Sequence, residues 1–174
     1  GLGDVYKRQP VDGSVEITDE YYNQLLAGQS AGLLINESKK GYPILIVHEV
    51  TVEEVRAQKL NELRLYDSSE AVNQFSIDNV SGWWNKATRV GLMNSIAIEK
   101  ASGRTETNIW LDNTLFVLPV EKAIDMLQQI ELYALMCYNT TQGHINAINQ
   151  LETKEEIEVY NFKTGYPGKL NFIG

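Results

Sequence analysis

Apolar residues along this chain follow two rhythms, one recurring every three to four positions and one alternating in short runs, so helices should interleave with hairpins. Near the start, Tyr21, Tyr22, Leu25 and Leu26 make a short amphipathic turn behind Thr18. The Thr18 hydroxyl can accept from the free amides of a helix start, and Asp19 and Glu20 suit its positive end. Gly28 is placed to end that helix in the left-handed conformation. Gly32 to Asn36 and Tyr42 to Val47 are apolar runs flanking the polar stretch Glu37 to Gly41, which predicts a hairpin. Pro43, lacking an amide proton, belongs at an edge or at the beginning of its strand. Val15 to Ile17 is a candidate third strand of that sheet.

Thr51 and Glu54 have the spacing at which each side chain satisfies a free amide of a helix's first turn. A helix is therefore expected from Val52 to about Leu65, directing Val52, Val55 and Leu63 toward a core and connecting two domains. Phe75-Ser76-Ile77 and Gly82-Trp83-Trp84 flank Asp78-Asn79, while Ile109-Trp110-Leu111 and Leu115-Phe116-Val117 flank Asp112-Asn113. Asp and Asn tolerate positive φ, so both read as tight hairpins. Between them, Val90, Met93, Ile96 and Ala97 predict a helix over Thr88 to Lys100 that stops near Gly103.

Pro119 suits the opening of the longest helix, where its missing amide proton costs no bond. Val120, Ala123, Leu127, Ile130, Ala134, Cys137, Thr141, His144, Ile148 and Leu151 then follow at spacings of three and four. Unbroken, this helix would span roughly 48 Å at 1.5 Å per residue, with Gly143 as a candidate kink. Ile124, Leu135, Tyr138 and Ile145 widen the stripe, which favours burial within its own domain over a coiled-coil seam. A short acidic helix, Lys154 to Val159, precedes an aromatic, glycine-rich tail. The fold class is α+β, with domains at 10–50 and 51–174.

A net charge of -8 in 174 residues argues against a sequence-independent nucleic-acid surface, which needs clustered Lys and Arg. The single cysteine, Cys137, lies in an apolar helical run and reads as a small buried hydrophobe. No run approaches the roughly 18 apolar residues of a membrane span, so a soluble chain without a membrane partner is expected. Signatures of metal, nucleotide, dinucleotide and serine-hydrolase sites are absent, which predicts a non-enzyme without cofactors. A glycosidase built from Asp78, Asp112 or Asp125 is the least favoured reading, because two of those carboxylates already have turn roles. Cys137 and His144 stand about 10 Å apart along one helix, too far for direct pairing. Consecutive strand residues face opposite sides, so one of Trp83 and Trp84 is a candidate exposed contact for a partner or a sugar, supported by Arg89 or Lys86. Tyr42, Ile44 and Ile46 on the edge strand are further candidates for partner binding.

The segment VEITDEYYNQLLAGQSAGLLI, Val15 to Ile35, resembles the start of the tailed-phage tail fibre assembly protein family. From about Glu53 to Phe172 the chain resembles a phage tail-region domain of unknown function. That second likeness is carried by RLYDSSEAVNQFSI, the Trp83-Trp84 pair, TRVGLMNSIAIEKASG, NIWLDNTLFVLPVEKAIDMLQ, LYALMCYNTTQGHINAINQL and YNFKTGYPGKLNF. The resemblance implies a protein that binds a phage tail fibre and assists its folding or assembly in the host bacterial cytoplasm, in some cases staying in the virion tail. A structural or receptor-binding tail module is the alternative, with homo-oligomerisation and glycan contact as its marks. The opening GLGDVYKRQ resembles translated sequencing-library adapter; this reading and that of a flexible arm both predict poor packing over 1–9, and the first puts the natural N-terminus elsewhere.

Overall fold

The computed structural model describes residues 13–174, so the expectation for 1–9 lies outside the described residues. The fold is α+β, and the chain divides into two compact units, 1–50 and 51–174.

In the first unit, α1 (Asp19–Ser30) begins where the Thr18 hydroxyl accepts from the Tyr21 amide. It packs on an antiparallel hairpin of β1 (Leu33–Glu37) and β2 (Pro43–Val47), with Leu33 opposite Val47 and Glu37 opposite Pro43. The Tyr21 hydroxyl donates to the Pro43 carbonyl at 2.7 Å, tying helix to strand. Gly28 does not end the helix. It sits inside α1 against Leu45, where a Cβ would fall 2.3 Å from a Leu45 methyl carbon, and Gly32 takes the positive φ instead. Val15 to Ile17 forms no strand: this sheet has two strands among the described residues, since an isolated three-residue run gains little without a register partner.

The second unit begins with α2 (Val52–Asp67), whose capping box between Thr51 and Glu54 is formed in both directions. This helix is not a connector. It belongs to the unit's core, where Leu63 packs with Ile148 and Phe162, and Arg56 donates to the Ile148 and Leu151 carbonyls at the end of α4 (Val120–Gln150). α4 runs unbroken through Gly143, because a single helix-interior glycine costs only about 1 kcal/mol against the packing along its length.

β3 (Phe75–Ile77) and β4 (Val80–Gly82) close around Asp78 and Asn79, and β5 (Glu106–Leu111) and β6 (Thr114–Pro119) around Asp112 and Asn113. All four turn residues have positive φ, between 43° and 67°, as two-residue hairpin turns require. α3 (Lys86–Ala101) lies between the hairpins. Its core face is Arg89, Leu92, Met93 and Ile96; Met93 and Ile96 lie inward as expected, whereas Val90 and Ala97, also expected inside, are exposed and Arg89 and Leu92 take the inward places. α5 (Lys154–Val159) has its own capping box, between Thr153 and Glu156. The tail is not free: Phe162 and Tyr166 pack against Tyr66, and β7 (Asn171–Phe172) pairs in parallel with β3, Ser76 opposite Asn171 and Ile77 opposite Phe172.

The main core gathers Phe75, Ile77 and Trp84 with Ile96, Ile109, Leu111, Leu118 and the Val120–Ile130 stretch of α4. Leu135 and Tyr138 do not widen the buried stripe: with Leu132 and Met136 they form an exposed apolar side of α4.

Candidate functional site

Three places combine unusual exposure or charge with fixed geometry. The first is the bare face of the β1–β2 hairpin. Strand alternation puts Leu45 toward α1 and sends Ile44 and Ile46 to the opposite side, where their cross-strand neighbours are Asn36 and Leu34. Leu34 and Ile44 are exposed and Ile46 is half-buried; Tyr42, just before the strand, is also exposed. Of the sequence candidates, Tyr42, Ile44 and Ile46 are thus brought together on one accessible surface.

The second place is a knot around Arg89. The Trp83-Trp84 pair follows β4 in a loop and does not continue the strand, so the alternating-face expectation fails. Neither indole is the exposed one. Trp84 is buried against Phe75 at 4.8 Å between ring centroids, and Trp83 is half-buried between Phe75 and Tyr133. Arg89 is buried as well, not a surface support: its Nε meets Glu131 Oε1 at 2.6 Å, Nη1 donates to the Trp84 carbonyl at 2.8 Å, and the guanidinium lies 5.1 Å from the Trp83 ring centre. Loop, α3 and α4 are fastened together by one side chain.

The third place was not singled out in the sequence. Trp110 is the exposed tryptophan, at 60%. The strand period could have found it: Thr107, Ile109 and Leu111 point inward, which turns Asn108 and Trp110 outward. Its backbone carbonyl accepts the Trp84 indole N–H at 3.0 Å, so the strand under it is fixed. Trp83, Trp84, Trp110, Asp112 and Asn113 line a 460 Å³ cleft between the two hairpins. Gly82 forms the closest approach, since a Cβ there would fall 2.5 Å from a Leu111 methyl carbon.

A polar chain on the other side of α4 clips the tail down. His144 Nδ1 is 2.7 Å from the Tyr160 hydroxyl and its Nε2 is 2.8 Å from the Thr164 carbonyl, while Thr141 bridges Asp67 and Tyr166. Burial is the main cause that raises the Cys137 thiol, and it likewise pushes the Tyr133 phenol far up, so neither ionises near neutrality. That environment suits a structural thiol, not a nucleophile. Asp78 accepts from the Gly174 amide and Asp125 from Gln129, both in structural roles. Among the described residues no group of three or more His, Cys, Asp or Glu side chains could hold a metal ion, and no helix is long and apolar enough to cross a membrane.

No family model, curated protein or solved structure matches this chain.

Proposed function

We propose that this protein acts by binding, as a tail fibre assembly or chaperone-like protein of a tailed phage. The observation that carries the binding surface is the bare hairpin face: Leu34, Ile44 and Ile46 lie on one side of a two-stranded sheet whose outer edges pair with no further strand among the described residues. Exposed apolar strands with free edges are normally covered or charged, because they template pairing with other chains. An assembly factor needs such a surface, since long β-rich subunits must be kept from misassociating until they register. The Val15 to Ile35 likeness to the assembly family falls on the segment that builds α1 and most of β1. Action is in the host cytoplasm during assembly, and the partner is a tail fibre protein.

Co-expression of residues 10–174 with the fibre gene adjacent to this reading frame tests the proposal. Soluble trimeric fibre and co-purification should rise over fibre alone, and Ile44→Lys should abolish the gain while leaving the circular dichroism of the protein unchanged. Unchanged fibre yield without binding would overturn the assembly reading and leave a structural or receptor-binding tail module. Alanine at Trp83 or Trp84 would not locate the contact, because those indoles hold the second unit together.

A further inference from the structure

We propose that the Trp110 cleft is a docking site for an arginine side chain carried on an extended segment of a protein partner. The cleft floor is fixed. Asp112 and Asn113 occupy the left-handed turn of the β5–β6 hairpin, Trp84 holds the Trp110 carbonyl, and Gly82 lets the two hairpins close behind.

What the floor presents is unpaired. The Trp110 indole N–H, the Asp112 carboxylate and the Asn113 amide have no hydrogen-bond partner among the described residues, and the Asp112 carboxylate is the only formal charge in the lining. An exposed tryptophan and a lone carboxylate lining the same cleft are complementary to a planar cation, whose face can stack on an indole and whose N–H fork can meet a carboxylate. The chain's charge of -8 adds a field of the same sign. An anionic ligand has the two N–H donors to accept from but meets the Asp112 carboxylate as a like charge. A neutral sugar can use the ring and the amide but leaves the carboxylate's charge unanswered.

Around the cleft the outer face of the hairpin continues with Leu115, directly opposite Trp110, and Val117, both exposed. Apolar residues flanking the arginine on an extended segment have matching ground. This inference deepens the binding reading above, and its test uses no fibre, so the two can fail separately.

The test uses the full chain labelled with ¹⁵N, whose three tryptophans give three indole N–H resonances, with the Trp110 resonance assigned through Trp110→Phe. The probes are a blocked pentapeptide with a central arginine between valines and threonines, its twin with glutamine in place of arginine, and cellohexaose. The arginine peptide should shift the Trp110 resonance saturably, with the shift fading as added salt screens an exposed ion pair. The twin should not. Asp112→Asn keeps a side chain that tolerates the turn and should weaken binding about two- to fivefold, as should Trp110→Ala followed at the Asn113 amide. Equal responses to both peptides, no response, or an unchanged affinity in Asp112→Asn would each overturn the assignment. A salt-independent shift with cellohexaose and none with the arginine peptide would overturn it in favour of a sugar site.

Discussion

Replacing Arg89 with alanine should destabilise the second unit by about 3 kcal/mol, and each part of that figure has a visible source. Removing one member of a buried pair typically costs about 3–5 kcal/mol, because the other charge is stranded. Here the Glu131 side chain is 40% exposed against 8% for Arg89, so water reclaims part of the stranded carboxylate and the cost falls toward the lower end. The Trp84 carbonyl loses a charge-assisted donor, worth about 1.5–3 kcal/mol, and the Trp83 ring loses its cation, worth about 0.5–2 kcal/mol. These terms overlap, since one guanidinium makes all three contacts, and the released side-chain entropy offsets some of them. Urea unfolding followed by tryptophan fluorescence is the assay, because Trp83 and Trp84 sit against the guanidinium. For a unit of this size the shift is roughly 10–15 °C in melting temperature. Glu131→Gln keeps an acceptor for Nε but leaves the more buried charge of the pair, Arg89, without its counter-charge, so it should also cost about 2–3 kcal/mol. A loss below about 1 kcal/mol for Arg89→Ala, with an unchanged denaturant slope, would refute the knot as a stabilising feature.

Three further outcomes follow from the same geometry. At Asn113, where φ is 60°, alanine should lower the unfolding free energy by about 1 kcal/mol and glycine should leave it nearly unchanged; equal losses would show that the turn conformation is not the cause. Cys137 should label far more slowly than a free thiol in the native protein. Its folded-state value is raised, so the unfolded chain loses the thiol proton first and stability should fall as pH rises above about 8.5; Cys137→Ala should flatten that alkaline decline in urea titrations. Glu156 shows the opposite sign. Hydrogen bonds from the backbone and hydroxyl of Thr153 and the amide of Glu152 hold its carboxyl below the ordinary carboxylate value. Its support of α5 is therefore full above that value and lost as pH falls through the lowered one. Protection of the Lys154–Val159 amides, taken against their intrinsic exchange rates at each pH, should fall in acid, and Glu156→Gln should remove that dependence.

Local chemistry was what the sequence made legible. The Asp-Asn turns, the Thr51 capping box, the Thr18 cap and the proline opening of α4 are each decided by residues within a few positions of one another, and each is present. What escaped depends on distant partners. The two-residue strand β7 has no periodicity of its own and exists because β3 offers it a parallel edge. Val90 and Ala97 look like core positions until a buried Arg89 is allowed for, and its burial is decided by Glu131, Trp83 and Trp84. The same logic separates the candidate contacts. Tyr42, Ile44 and Ile46 share a face by strand period alone, whereas the fate of Trp83 and Trp84 was set by how the loop after β4 folds back on α3 and α4.

The parallel pairing of β3 with β7 has a consequence for the order of events during synthesis. Ser76 donates a side-chain hydrogen bond to Asn171, 95 residues later, and the Asp78 amide donates to the Phe172 carbonyl. At about 5–20 residues per second, a ribosome exposes the first half of this sheet some 5–20 s before the second half exists. Throughout that interval Phe75 and Ile77, both fully buried at the end, sit on an open hydrogen-bonding edge. A nascent chain in this condition depends on slow elongation being harmless and on crowding by sister chains being low. Codon-level pausing or dense polysome loading downstream of β3 would therefore be expected to tax the yield of this protein more than that of one whose sheet closes locally.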